Sequence, residues 1–255
     1  MRLLLLAGLS AGLATAASFT YNDFSSVAGL SLTGDAAQAG SVLRVVHNDV
    51  SLAGNAWYSS AVDFNPNTSF STMFEFLITT PPGDPTDGFS FILQNDPAGN
   101  GALGAGGQGS GYVNLSPSVA VLFRGRAPSF IGVITNGVDP LPGAPPGATL
   151  FNENDFYNQN EFAWIDYDAS STTLSVYLST TNVKPGTAVL SNSVDIASIL
   201  GAQAYVGFGA GTGGASGDND ILSWQFTSTP EPGTTGLYGI GLVAIGLARR
   251  RMQRR

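Results

Sequence analysis

Residues 206–226 read VGFGAGTGGASGDNDILSWQF, and this stretch carries the strongest structural signal in the chain. An apolar run leads into a loop of glycines and acids, and a second run, residues 221–226, follows the loop. Two runs of this kind separated by Gly, Asn and Asp are typical of paired antiparallel strands. The stretch therefore predicts two strands of a β-sheet with a polar loop between them.

Short strand-like runs also fill the preceding sequence. They are β-branched or aromatic, are bounded by Gly, Pro, Asn or Asp, and lie at residues 41–46, 70–79, 88–94, 118–123 and 130–135. Residues 71–78, STMFEFLI, alternate apolar and other side chains, as a strand with one buried face does. Prolines place residues 81–85 and 140–147 in exposed loops, because proline cannot donate a hydrogen bond within a sheet. The pattern predicts an all-β, two-sheet antiparallel sandwich.

The composition limits how this domain is stabilised and what it binds. The chain has 255 residues and no cysteine, which excludes disulfide bonds and thiol chemistry. Residues 18–228 contain four basic and seventeen acidic side chains, so their formal charge is −13. Nucleic acids and anionic membrane surfaces need basic patches, and the sequence therefore predicts no nucleic-acid partner.

The N-terminus has the parts of a secretory signal peptide. Met1 and Arg2 precede an apolar run, residues 3–13, which is followed by Ala14-Thr15-Ala16 as a small-residue cleavage site. The run is shorter than the roughly 20 apolar residues that a membrane-spanning helix needs. We therefore predict a signal helix in residues 1–17, export of the protein, and a folded domain over residues 18–228.

The C-terminal segment, residues 229–255, contains Pro230-Glu231-Pro232, an apolar run at residues 234–248, and five arginines at its end. Such a run marginally spans a bilayer, and the arginines favour the cytoplasmic side. This order of features resembles the PEP-CTERM sorting signal of Gram-negative bacteria. The resemblance implies a short transmembrane helix as a transient inner-membrane anchor, cleavage by an exosortase-type enzyme, and a final location at the cell surface or in the extracellular matrix. An ordinary membrane anchor is the alternative.

Several motifs of the body resemble those of one protein family and occur in the same order. They are Asn55-Ala-Trp-Tyr58, SFSTMFEF at residues 69–76, TDGFSF at 86–91, the glycine-rich residues 104–111, Val119-Ala-Val121, WIDYD at 164–168, LSVYL at 174–178 and the closing residues 206–226. Together they resemble the legume-type (L-type) lectins over nearly all of the body. The resemblance implies a concanavalin-like jelly-roll sandwich whose partner is a glycan or exopolysaccharide.

The same resemblance implies a set of sugar-binding residues. In the family, the Asp of the DG motif follows a cis peptide and accepts hydrogen bonds from sugar hydroxyls; Asp87 is the matching residue. Alternatively, Asp87-Gly88 is a turn that opens a strand. In the glycine loop, Gly106 and Gly107 would let backbone N–H groups approach a sugar closely. The third candidate loop, whose sequence varies in the family with sugar specificity, contributes Gly214, Ser216 and Asp218.

The metal site of the family has no counterpart in this sequence. Leu122 stands where a Glu is expected, Arg124 where an Asp is expected, and Phe130 where a His is expected. The family's two cations need carboxylate and imidazole ligands, so we predict no metal and no cofactor. Arg124 and Arg126 are candidate charge substitutes that would steady Asp87 or meet an acidic sugar. The alternative is a surface loop that binds nothing.

A hydrolase of the same general fold would use an E-x-D-x-x-E strand. Residues 153–158, ENDFYN, start this pattern but end in Asn158, which cannot serve as nucleophile or acid. We therefore predict no catalytic residues and no enzymatic activity. The single histidine, His47, is expected in a surface turn. Three residues are expected to pack in the core: Trp57, Trp164 and Trp224.

Taken together, the residues and the resemblance favour an exported, non-catalytic, metal-independent glycan-binding protein of the cell surface or exopolysaccharide matrix. The main alternative is a structural surface protein that has the lectin fold and no affinity for sugar. A glycoside hydrolase is the least favoured interpretation.

Overall fold

The computed structural model describes residues 16–81, 86–153 and 155–230. The predicted signal helix falls almost wholly outside these ranges, and so do the predicted transmembrane helix, Glu231 and Pro232. Within the described ranges, no helix has the length and apolar character needed to cross a bilayer.

Strands dominate the described part of the chain, as predicted. They are β1 Ser18–Tyr21, β2 Leu30–Gly34, β3 Ala37–Ala39, β4 Val42–Val46, β5 Ala53–Tyr58, β6 Val62–Asp63, β7 Thr68–Thr79, β8 Gly88–Gln94, β9 Ser118–Arg124, β10 Phe130–Thr135, β11 Thr149–Leu150, β12 Asn160–Asp168, β13 Thr173–Ser179, β14 Leu190–Ser193, β15 Gln203–Gly211 and β16 Asp218–Pro230. One short helix, α1, spans Ile196–Leu200, and Gly99–Gly101 and Gly107–Gly109 form 3-10 turns. The helix α1 was not predicted, because five residues are too few to show a helical period.

The strands form two antiparallel sheets. The first has the order β14-β13-β12-β7-β16-β4-β3, with β1 also paired to β16. The second has the order β11-β10-β9-β8-β15-β5-β2, with β6 also paired to β15. This arrangement confirms the predicted all-β sandwich, and the long strands β15 and β16 are those predicted from residues 206–226.

The main core lies between the two sheets and is rich in phenylalanine. Phe74 of β7 stacks on Phe91 of β8 with ring centroids 6.0 Å apart, and meets Phe208 of β15 edge-on at 5.0 Å. In β7 buried and more exposed side chains alternate along the strand, as residues 71–78 predicted. Full burial of each ring stabilises the fold by roughly 1.5–3 kcal/mol, so these contacts hold the sheets together without disulfides.

The three tryptophans are not equivalent. Trp57 and Trp224 are fully buried, as predicted. Trp164 is half-buried, because Ala163 and Ile165 take the inward positions of β12 and side chains alternate along a strand. The core prediction for Trp164 was therefore wrong, and its ring lies on the outer face of the first sheet.

Candidate functional site

The three regions predicted to bind sugar meet at the end of the second sheet. The N–H of Gly107 donates to the carbonyl of Thr212 at 3.2 Å, which joins the glycine loop to the loop between β15 and β16. A methyl group placed on Gly213 would lie 3.1 Å from Oδ2 of Asp87 and 3.6 Å from Cα of Gly107. Asp87, the glycine loop and the last loop therefore surround one place.

The glycine loop is anchored by a buried asparagine of β5. Nδ2 of Asn55 donates to the carbonyl of Gly111 at 2.8 Å, and the N–H of Gly104 donates to Oδ1 of Asn55 at 2.9 Å. Gly111 has φ 67°, and a side chain there would press on the backbone of β15. Asn55 was assigned to a strand motif alone, although a buried amide in an apolar strand signals a need for polar partners.

The position of Asp87 is set by its neighbours in the sheet. Gly88 has φ 118° and pairs in register with Arg124, so a side chain on Gly88 would overlap the carbonyl oxygen of Phe123. The resemblance implied a cis peptide before Asp87. Among the described residues the cis bonds precede three prolines, at positions 117, 128 and 142, so the Thr86–Asp87 bond is trans and this expectation was wrong.

Asp87 and Arg124 form a buried ion pair. Nη1 of Arg124 lies 3.5 Å from Oδ1 of Asp87, and the two residues are 4% and 5% exposed. Burial raises the pKa of Asp87, opposed by the charges of Arg124 and Arg126 and by the N–H of Gly213, which donates to the carboxylate. Burial also lowers the pKa of Arg124, opposed mainly by Asp87. At both groups, the effect of removal from water on the pKa thus exceeds the effect of the attraction between the two charges. The surrounding fold therefore holds the pair in place.

Two nitrogen donors of Arg124 have no hydrogen-bond partner among the described residues. Its Nε and Nη1 are buried and have no such partner there. Tyr157 closes the site from the other side, since its hydroxyl donates to the carbonyl of Thr86 at 2.6 Å and its ring packs against Gly125. Tyr157 lies in the run that resembles a broken hydrolase motif, and no sequence signal linked it to Asp87.

The remaining predicted residues differ in their surroundings. Gly106 packs so closely on Leu52 and Gly211 that a side chain would overlap the backbone. Gly214 is exposed with open space around it, and Ser216 is half-buried in the same loop. The carboxylate of Asp218 is engaged elsewhere, by Arg44 at 3.1 Å and by the N–H of Asn48 at 2.7 Å. Arg126 is exposed, unlike Arg124.

The positions of the family's metal ligands are occupied by a second apolar cluster. Leu122 and Phe130 are both buried on the face of the second sheet opposite the main core, and they share this cluster with Trp57, Ile92, Ala102, Tyr112, Leu115, Ala120 and Ile134. Leucine and phenylalanine offer no donor atom to a cation. No group of three or more His, Cys, Asp or Glu side chains suited to a metal occurs among the described residues. The residues present therefore do not fit the family's ions.

Known proteins with similar sequences and structures support the fold. A model of the legume lectin domain matches residues 16–236, which is most of the chain. The chain belongs to the legume lectin family. Legume lectins are non-catalytic carbohydrate-binding proteins, which confirms the prediction of a non-catalytic, lectin-like protein.

Relatives of this lectin domain occur as parts of larger proteins and as free lectins. The L-type lectin-domain containing receptor kinase VIII.2 of Arabidopsis thaliana is 29% identical over 221 residues, 79% of this chain and 31% of the kinase. The erythroagglutinating phytohemagglutinin of Phaseolus vulgaris is 31% identical over 206 residues, 73% of this chain and 72% of that protein. The lectin from Bauhinia forficata in complex with GalNAc superposes with a TM-score of 0.72 at 27% identity, covering 85% of this chain and 99% of that one. This lectin domain thus spans about a third of the kinase.

Proposed function

We propose that this lectin domain binds a glycan without metal ions, in the place surrounded by Asp87, the glycine loop and the last loop. The observation that carries the proposal is the convergence of Asp87, Gly107 and Gly213, combined with an apolar cluster where the family's ions would sit. The contacts are assigned to the carboxylate of Asp87 and to the residues Gly106, Gly107, Gly214 and Ser216. The predicted contact from Asp218 is not included, because Arg44 and the N–H of Asn48 engage its carboxylate.

In this proposal, Arg124 holds the carboxylate of Asp87 in position. A buried carboxylate needs a fixed positive charge or hydrogen-bond donors nearby to stay ionised. Arg124 and the N–H of Gly213 supply both at Asp87. The oxygens of Asp87 then accept from sugar hydroxyls, while the glycines leave room for the sugar ring to approach the backbone.

A glycan array, probed with the purified protein with and without EDTA, tests this proposal. We expect discrete glycan signals that EDTA leaves unchanged and that Asp87→Asn abolishes. Asp168→Asn is the matched control, since it alters an exposed carboxylate on the first sheet and should retain the signals. Chelator-sensitive binding contradicts the metal-independent mechanism.

A structural role without sugar affinity is the second candidate function. It is favoured by the burial of Asp87, whose carboxylate is already engaged by Arg124 and Gly213 and is only 5% exposed. A folded protein that gives no signal with any glycan, and that is unaffected by Asp87→Asn, would support this role over glycan binding.

We also propose export and sorting of the protein through its two ends. The signal peptide of residues 1–17 would direct export, and the segment 229–255 would anchor the chain in the inner membrane of a Gram-negative bacterium until an exosortase-type enzyme cleaves it. Exopolysaccharide at the cell surface would then be the accessible glycan. In a host that contains such an enzyme, Glu231→Ala should retain the full-length chain in the membrane fraction, whereas Glu153→Ala should be processed normally.

A further inference from the structure

A small groove lies on the outer face of the first sheet, whereas the place proposed for the glycan lies at the end of the second sheet. The groove encloses about 170 Å³ and crosses β12, β7 and β16. Pockets for drug-sized ligands measure about 300–1,000 Å³, so this groove has room for a single small ring. None of the residues assigned to glycan binding lines it.

Strand register arranges the groove as two parallel rows of outward side chains. Each row crosses three neighbouring strands, and the two rows are Trp164-Met73-Gln225 and Asp166-Ser71-Thr227. Neighbouring strands lie about 4.8 Å apart, and residues two positions apart on one strand lie about 7 Å apart. The two rows therefore cover about 10 Å by 7 Å, which is the size of one sugar ring and its hydroxyl groups.

The first row contains an indole ring whose N–H the protein does not use. The N–H of Trp57 donates to the carbonyl of Ala102 at 2.8 Å. The N–H of Trp224 donates to Oγ1 of Thr72 at 3.0 Å. Trp164 is half-buried, and its Nε1 has no acceptor among the described residues. Because an indole has an apolar face and a polar edge, this ring suits a ligand that is itself amphipathic.

The other side chains of the groove offer hydrogen bonds without net charge. The amide of Gln225 is exposed and has no hydrogen-bond partner among the described residues. Asp166 is neutralised, because Lys184 pairs with its Oδ2 and the hydroxyl of Ser71 donates to its Oδ1 at 2.6 Å. Nζ of Lys184 also lies 4.3 Å from the centroid of the Tyr177 ring, which steadies the pair. This balance of charge favours an uncharged ligand that carries hydroxyl groups.

We propose that this groove binds the pyranose ring of an uncharged sugar. A pyranose with equatorial hydroxyls, such as a β-glucoside, presents a flat face of C–H groups, which packs on Trp164 and Met73. Its hydroxyls project from the edge of the ring and hydrogen-bond the amide of Gln225 and the hydroxyl of Thr227. Where the proposed function also holds, one chain engages two glycan segments at once, through the ends of two different sheets.

The affinity of such a groove decides how it is measured. A single ring held in this way binds with a Kd of about 1–10 mM. A complex this weak is lost when a glycan array is washed, so the array reports on the site at Asp87. A titration in solution reports on Trp164.

The test is an NMR titration of the full chain with methyl β-D-glucopyranoside. The chain has three tryptophans, and the indole N–H signals of Trp57 and Trp224 are internal controls because both are engaged inside the protein. We expect the Trp164 signal to shift with a Kd of about 1–10 mM while the other two stay in place. Sorbitol, which carries hydroxyl groups but has no ring face, should leave all three signals unchanged.

Variants assign the binding to the two kinds of contact. Trp164→Ala removes the ring at an outward position and should weaken the glucoside about tenfold, as followed by the backbone amides of Met73 and Gln225. Gln225→Ala retains the ring and should weaken binding about threefold, as followed by the Trp164 signal. Ser223→Ala is the matched control, since this side chain of β16 does not line the groove, and it should bind as the parent does.

An unmoved Trp164 signal, an equal shift with sorbitol, or an unchanged affinity in Trp164→Ala each overturn the proposal. A Trp164 signal that responds to protein concentration and ignores the glucoside also overturns it, and assigns this face to contact between two copies of the chain. The parent titrations and Gln225→Ala decide the matter even where Trp164→Ala does not fold. An empty glycan array beside an intact Trp164 response would refute the proposed function at Asp87 and leave this inference standing.

Discussion

Arg124 and Asp87 face each other across 3.5 Å at the point where β8 begins and β9 ends, and neither is more than 5% exposed. The register that pairs Gly88 with Arg124 makes them neighbours, although 37 positions separate them in the chain. This pair occupies the end of the sheet face on which Leu122 and Phe130 replace the metal ligands of the family. The positive charge of Arg124 thus stands next to Asp87, the residue that we propose binds sugar.

Removing the positive partner should destabilise the protein. Arg124→Met leaves the buried carboxylate of Asp87 without its counter-charge, which costs about 3–5 kcal/mol for buried pairs. Arg126→Ala, at an exposed position, should change the free energy of unfolding by less than about 0.5 kcal/mol. Urea unfolding of both variants measures the difference. Equal stability of the two variants would show that the Asp87–Arg124 pair does not stabilise the fold.

Restoring the family's ligand types should fail to create a metal site. Leu122→Glu places a carboxylate in a fully apolar cluster, and we expect a loss of at least about 3 kcal/mol in unfolding free energy. Leu122→Met conserves volume and polarity and should cost less than about 1.5 kcal/mol. Thermal unfolding with and without Ca²⁺ and Mn²⁺ checks this, and a metal-dependent rise in Tm for Leu122→Glu would contradict it.

Asn55 should control the order of the glycine loop. Asn55→Ala leaves the N–H of Gly104 and the carbonyl of Gly111 without their partner, at a cost of about 1–3 kcal/mol each where they stay buried. We expect faster amide hydrogen exchange in residues 104–111 and weaker glycan binding. Asn48→Ala, in an exposed turn, is the control and should leave exchange in that loop unchanged.

Glu161 should make stability fall as the pH rises. Its folded-state pKa is raised from 4.5 to about 7, so the folded protein holds a proton that the unfolded chain releases above pH 4.5. The stability is therefore greatest below pH 4.5 for this group and is lost progressively up to about pH 7, by roughly 2–3 kcal/mol. Unfolding curves at pH 5 and pH 7.5, compared with Glu161→Gln, isolate this contribution. An identical pH slope in the variant would refute it.

Two glycines of the site should respond differently to a methyl group. Gly88→Ala forces a side chain against the carbonyl of Phe123 at φ 118°, and we expect a loss of at least about 2 kcal/mol. Gly214→Ala enters open space and should leave stability within about 0.5 kcal/mol. The second variant therefore reports on ligand contact alone, and glycan affinity measured beside unfolding free energy distinguishes the two effects.

Local patterns were sufficient for most of the sandwich. The predicted runs at residues 88–94 and 130–135 coincide with β8 and β10, and the loop at residues 140–147 is free of strands. Trp164 was misjudged because both faces of β12 carry aromatic or apolar side chains at that point, so alternation alone does not say which face is inward.

The candidate site was predictable only in part. Asp87 and the glycine loop were indicated by their resemblance to family motifs, and their convergence follows from the fold. The engagement of Asp218 by Arg44, the support of Thr86 by Tyr157, and the anchoring of the loop by Asn55 were not foreseen. Each joins positions at least 49 residues apart, beyond the reach of any local pattern.

By itself, the sequence determined the alternation of buried and exposed positions, the places of the turns, and the residue types at Leu122, Arg124 and Phe130, where the resemblance to the family implies metal ligands. These depend on residue type and spacing, which a chain carries before it folds. The tertiary structure alone decided that Arg124 meets Asp87, that Leu122 joins Phe130 in an apolar cluster, and that Glu161 is buried beside Gln159. The physical reason is that strand register and sheet packing bring distant residues together and remove them from water. They therefore set the partners and the burial of each side chain.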